Sequence, residues 1–379
     1  MRNVVSHVVR RVLRTKYWLV AACTLALLAG CAQVKYYMQA AQGQYSLWSD
    51  ARPIDDWLGD PATDPQLKAR LEKALLIRRF AVQELGLPDN ASYKNYAALS
   101  RPFVLWNVVA TPELSLRSIQ WCFPIAGCVS YRGYYSKDDA MAYADELRGE
   151  GNDVQVGGVP AYSTLGWFSD PLLSTFIHYS DAELARMVFH ELAHQVVYVP
   201  GDTQFNESFA TAVEEAGVQR WLELYGNDDM RLAYTRYNGR RAEFLELLVR
   251  HRQMLADNYA SKTSVRHRRA EKARIFAHLQ SDYLKLKESW GGYAGYDRWF
   301  AEPLTNAHLS AVGTYHDYLP ALRSLLKQER TFVRFYGAVQ KMAALDFAQR
   351  QQRLDQLVRT ATGGSAPAEY GQKAAPGML

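Results

Sequence analysis

Two histidines four residues apart, with a glutamate directly after the first, are the side chains of this sequence best placed to do chemistry: His190-Glu191-Leu192-Ala193-His194. On a helix, positions i and i+4 lie one turn apart on one face, so two imidazole nitrogens can meet one zinc ion. Glu191 falls about 100° further round, beside such an ion but poorly placed to chelate it, where it can take a proton from an attacking water. A hydrolytic zinc centre needs a third protein ligand. The segment Tyr198 to Thr203 turns the chain, a second helix is expected from Asn206, and Glu207 in its first turn is the first choice. Glu214 lies seven residues on, about 10 Å further along the axis. One ion cannot take both, and the offset of two antiparallel helices decides between them. The glutamate left over would accept a hydrogen bond from a ligand imidazole and fix its orientation. The plain alternative is two packed or exposed histidines on an ordinary helix.

The elements that must position these groups can be read from caps and periodicity. Ser180 as N-cap, with Asp181 and Glu183 in the first turn, opens the motif helix, expected over 181–197. Upstream, Asp64-Pro65 predicts a helix over 65–85, stopped by Gly86 and Pro88. The β-branched and aromatic runs between Tyr93 and Tyr131, notably Phe103 to Val109, predict a small antiparallel sheet, joined by a returning strand from Asp153 to Gly157 after a helix over 137–148. Downstream the pattern is helical: 206–225, 240–256, 263–288 and 317–358. The expected class is α+β and predominantly helical, with an α+β part over 31–180, a helical part bearing the zinc site over 181–358, and a disordered tail over 359–379.

Composition is that of a folded chain, with 48% hydrophobic and 22% charged residues. The net charge of +5 suggests an acidic partner until its location is noted. Five of the 44 basic residues lie in residues 1–30 (Arg2, Arg10, Arg11, Arg14, Lys16), which hold no acid, leaving 39 against the 39 acids. The body is neutral, so no nucleic-acid partner is expected. The basic start leads into an apolar run from Tyr17 to Leu28, too short to span a bilayer comfortably. It ends in Leu28-Ala29-Gly30-Cys31, which resembles a bacterial lipobox. On that reading residues 1–30 are a cleaved signal, Cys31 carries a lipid, and the membrane is a partner through that anchor. An ordinary secretory signal is the alternative. Ala32 in place of Asp favours the outer membrane, facing the periplasm. Cys122 and Cys128 are then the cysteines left, and in an oxidising compartment they are expected to pair, with two buried thiols or a metal pair as the alternatives, although no second Cys or His pair lies nearby to complete a zinc site.

The stretch from Trp121 to Trp221, with Tyr131-Arg132-Gly133-Tyr134, Ala161 to Phe168, the His190–His194 motif and Phe205-Asn206-Glu207-Ser208-Phe209-Ala210, resembles a bacterial family of predicted aminopeptidases. The resemblance covers roughly 32–358 and includes Asn306-Ala307 and Tyr315. It implies a zincin-like fold and a zinc-dependent peptidase of the gluzincin kind, in which a glutamate on a second helix completes the histidine pair, and so supports Glu207. The Gly-x-Met-Glu-Asn segment by which other gluzincin aminopeptidases bind a free amine is absent. A peptide substrate is expected, with a zinc endopeptidase and a non-catalytic envelope lipoprotein with structural zinc as alternatives.

In such a mechanism Glu191 is the general base, and a Tyr or His should stabilise the oxyanion. Candidates are Tyr198, His178, His316 and Tyr315, with Tyr315 preferred. Ala161 to Phe168 is either a strand edge that pairs with substrate or a core strand and turn. Glu214 or Asp170 could hold a substrate's free amine. The basic run Arg266-His267-Arg268-Arg269 reads as a solvated helix face.

Overall fold

The computed structural model describes residues 33–123, 127–310, 312 and 318–361. Cys31, Tyr315, His316 and the expected tail beyond Ala361 lie outside the described residues. The chain divides after Asp50 into two units. Of the first, the described part is a helix over 33–49 (α1).

The second unit is a mostly helical α+β body with small sheets. In place of one antiparallel sheet there are three among the described residues. The first, β1 (Ala51–Pro53), β2 (Asn95–Ala97) and β8 (Leu172–Leu173), is mixed, because β2 pairs antiparallel with β1 and parallel with β8. The second has β3 (Leu105–Pro112) between β6 (Arg132–Tyr134) and β7 (Asn152–Val159), all antiparallel. Its period-two pattern turns Trp106, Val108 and Ala110 inward, where α4 (Lys137–Gly149) buries Ala140, Ala144 and Leu147. The third is a hairpin, β4 (Trp121–Phe123) with β5 (Gly127–Val129), whose opposed Cys122 and Cys128 form a disulfide. Ala161 to Phe168, expected as a strand in either reading, is a loop: Leu165 and Gly166 take left-handed backbone (φ 58 and 80), which breaks any ladder.

Helix α3 (Pro65–Gln83) starts where expected, with Asp64 accepting from the N–H groups of Gln66 and Leu67. It fixes the start of α5 (Asp181–Ala193): Arg70 donates to the carbonyls of Ile177 and Tyr179 and pairs with Asp181 at 2.6 Å. Helix α6 (Thr203–Tyr225) packs on both. Phe80 stacks on Phe189 and meets Trp221 edge-on. Gly217 allows the close approach, since a Cβ there would sit 2.7 Å from Leu85 and 2.8 Å from Phe189.

Other boundaries differ from the sequence reading. Helix α5 stops four residues short of 197, because Gln195 and Val196 bond back to the i−3 carbonyls of Leu192 and Ala193 and tighten the turn. Helix α7 (Asp228–Ala260) begins twelve residues before 240: Asn227 caps it, and Gly239 is carried inside it. It forms an antiparallel pair with α8 (Val265–Ser289) around Phe244, Leu248, Leu255 and Leu279. The segment expected as 317–358 holds three helices, α10 (Leu319–Glu329), α11 (Phe332–Ala343) and α12 (Phe347–Ala361). Arg330 in left-handed backbone ends the first, and the side chains of Thr331 and Asp346 cap the next two. On α8, Arg269 stays on the exposed face and from there clasps Glu113 with two 2.7 Å bonds.

The short helix α9 (Asn306–Ser310) packs against β3 and β7, and buries His308. Its Nδ1 accepts the Thr305 N–H at 3.1 Å, and burial pushes its pKa down to about 4. Between about pH 6.5 and 4 the unfolded chain takes up a proton that the folded one refuses, so stability should fall as pH falls through that window. The loss approaches about 3 kcal/mol from the 2.5-unit difference. Urea midpoints measured from pH 7 to 4.5 should show this slope flattened in His308→Asn. An identical slope in both proteins would count against it.

Candidate metal centre

The alignment of α5 and α6 can be read from their polar contacts. Arg186 and His190 both reach Glu214, while His190 and His194 both reach Glu207, so moving up one helix moves down the other. The helices are antiparallel, with an offset that puts the two glutamates on opposite nitrogens of one imidazole. His190 Nδ1 lies 2.8 Å from Glu214 Oε2, and His190 Nε2 lies 3.3 Å from Glu207 Oε2. His194 Nε2 is 3.2 Å from His190 Nε2 and 3.7 Å from Glu207 Oε1.

These spacings can be compared with what an ion requires. Ligands held at about 2.0–2.2 Å in a tetrahedron lie roughly 3.3–3.6 Å from one another. The three observed separations bracket that distance, and His190, His194 and Glu207 could hold a metal ion. Donor chemistry agrees. With its Nδ1–H donating to Glu214, a neutral His190 would turn its Nε2 lone pair toward the shared point, and the Nδ1 of His194 is buried without a partner among the described residues. The His194 tautomer is therefore free to follow whatever meets its Nε2.

Charge makes the same demand. Glu214 is only 1% exposed and compensated, with Arg186 at 3.5 Å on one oxygen and Arg241 at 3.5 Å on the other. Glu207 has no cationic partner among the described residues except the two imidazoles. Burial opposes a charge on His190, yet its bonds to Glu207 and Glu214 outweigh that and raise its pKa to about 10. Burial holds His194 down at about 4. A proton on His190 thus supplies the positive charge the cluster needs, and a divalent ion would displace it.

Glu191 projects from α5 beside this group and is buried; desolvation raises its pKa to about 7. Tyr198 stands edge-on to His194, ring centres 6.4 Å apart. His178 is exposed in the turn before α5. Asp170 lies one layer out, accepting from the Thr164 N–H, the Ser163 hydroxyl and Gln195 Nε2. Sequence reasoning missed the two arginines on Glu214. Arg186 was findable, being one turn before His190 on the same face. Arg241 was not, because it comes from α7 and nothing local marks it. Replacing Glu214 by Gln should weaken metal affinity about 10- to 100-fold, since it loosens the His190 ring without touching an ion. Competition titration with a chromophoric chelator would measure this, and equal affinity would show the contact to be idle.

The fold and site define a class: a mostly helical α+β protein with a His–His–Glu group that could hold a metal ion beside a buried glutamate. The sequence matches the family model described as "Putative aminopeptidase" over residues 35–354, and the chain belongs to that family. No curated protein and no solved structure matches it.

Proposed function

We propose that this chain is a zinc-dependent, zincin-like peptidase of the gluzincin kind that removes N-terminal residues from peptides in the cell envelope. The observation that carries the reading is the convergence of His190, His194 and Glu207 on one point beside the buried Glu191. When bound there, zinc would supply Lewis acidity, polarising the scissile carbonyl and acidifying water. The chain's own groups do the rest. Glu191 takes a proton from the attacking water and delivers it to the leaving amine nitrogen. Glu214, braced by Arg186 and Arg241, keeps the His190 ring in one orientation. Tyr315 is assigned to the carbonyl oxygen on the sequence argument.

Location follows from the sequence as part of the same proposal: a lipid on Cys31, anchorage at the outer membrane, the body in the periplasm. The Cys122–Cys128 disulfide supports an oxidising compartment.

One observation favours an endopeptidase as the second reading. An aminopeptidase needs a carboxylate for the substrate's free amine, and both candidates are committed, Glu214 to His190 and two arginines and Asp170 to Thr164, Ser163 and Gln195. A peptide digest separates the readings. Release of N-terminal residues from unblocked peptides, abolished by a chelator, restored by zinc and absent with acetylated peptides, is the expected result. Cleavage of acetylated peptides would establish the second reading. Bound zinc with no hydrolysis of either would overturn both and leave a structural metal.

A further inference from the structure

The neutral sum over the body hides a separation of charge. Helices α10, α11 and α12 hold eight of its 39 basic residues and three of its 39 acids, which leaves 31 against 36 elsewhere. Two of the eight are committed inside the fold: the buried Arg350 pairs with Asp202 at 2.8 Å, and Arg323 clasps Glu215 with bonds of 2.7 and 2.8 Å. Three others, Arg334, Lys341 and Arg353, stand exposed around a groove of about 700 Å³ between the three helices. Glu329 lies 3.3 Å from Arg334, whereas Lys341 and Arg353 make no ion pair among the described residues.

Under these cations the groove is apolar, floored by Leu325 of α10, Met342 of α11 and Leu345 just beyond it. On α11 positions 334, 337, 338 and 341 follow the i, i+3, i+4, i+7 spacing of one helical face, and all four line the groove. Gly337 sits at the middle of that face. A Cβ there would meet nothing within 4 Å, so no close neighbour asks for glycine, and its backbone is not left-handed. Glycine weakens a helix interior relative to alanine. Its effect here is to keep the groove open between Arg334 and Lys341.

The volume lies in the range of about 300–1,000 Å³ that small-molecule sites occupy. Cations over an apolar floor suit an anion with a hydrocarbon part. A peptide laid in the groove would bring N–H and C=O groups that need partners, and the helical walls have bonded theirs internally; an acyl chain brings none. We propose that the groove binds an anionic phospholipid at a membrane surface, with its phosphate among Arg334, Lys341 and Arg353 and the first part of an acyl chain over Leu325, Met342 and Leu345. This holds whether or not the chain is a peptidase.

The test is photo-crosslinking of the full chain to vesicles of phosphatidylcholine that contain phosphatidylglycerol with a diazirine in its acyl chain. Peptide mapping should place adducts within residues 325–345, at roughly tenfold the yield from the same label on phosphatidylcholine. Mapping to a segment also separates the groove from any anchor at the N-terminus. Lys341→Glu combined with Arg353→Glu should cut the yield about tenfold. Gly337→Leu, which fills the groove and favours the helix, should do the same with an equal or higher Tm. Equal yields from the two lipids, adducts confined to other segments, or yields unmoved by the variants overturn the proposal. So does loss of the adducts when sn-glycerol 3-phosphate is added at the concentration of the lipid, which would mark a site for a small phosphate. An absence of adducts with self-association at low salt would give the groove to acidic residues of a second copy, and overturns it as well.

Discussion

Glu191→Gln is expected to lower kcat/KM on a susceptible peptide by about 10³-fold, with one ion still bound per chain and the fold intact. Glu191 follows a histidine of the candidate metal group on α5, is buried, and makes no ion pair with an Arg or Lys among the described residues, so its carboxylate serves no evident structural purpose. Burial lifts its pKa to about 7, which marks the ionised form as costly in the folded protein. Glutamine has the same shape without that cost, so the variant should melt at the same temperature or higher while losing the base. Steady-state kinetics, elemental analysis and thermal melts on one preparation check all three parts. A variant that cuts as well as wild type would remove Glu191 from the mechanism.

His194→Ala should abolish tight metal binding and, with it, all measurable hydrolysis. Of the three residues of the group, His194 is the cleanest to remove. Deleting His190 would leave Glu214 facing Arg186 and Arg241 without the ring that it orients, whereas the His194 Nδ1 bonds nothing among the described residues that its loss would orphan. The stability readout is specific. Free ion at about 1,000 times its dissociation constant stabilises the folded state by about 4 kcal/mol, so a chelator should lower the melting temperature of wild type and leave that of the variant unmoved. An unchanged zinc stoichiometry in the variant would place the metal elsewhere.

The parts of the site that were legible in advance are those governed by local geometry. A His-Glu-x-x-His run on a helix opened by Ser180 must place both imidazoles on one face, because the helical repeat alone does it. The same holds for the Asp64-Pro65 start of α3 and for the nearby cysteines of the β4–β5 hairpin. Long-range pairing was not legible. The parallel match of Tyr96 with Leu172 joins residues far apart in the chain, and no periodicity within either segment announces it. Nor was the loop at Ala161–Phe168, whose aromatic content resembles that of a strand until Leu165 and Gly166 turn left-handed.

Glu207 and Glu214 show where the boundary falls. Their spacing is set by the rise of α6, so the sequence by itself determined that one ion could not bind both and that the other could brace a ligand. Which glutamate takes which role depends on how far α6 slides along α5. That offset is set by the Phe80, Phe189 and Trp221 cluster and by Gly217 against Leu85, contacts from three separate stretches of chain. Gln195 is a stronger case of the same kind: only the folded loops bring Ser92, Asp170 and Asn90 onto its side-chain amide. Helical repeat and capping act over a few residues and are written in order along the chain, whereas packing offsets and loop clamps are sums over distant contacts that exist only once the chain has closed on itself.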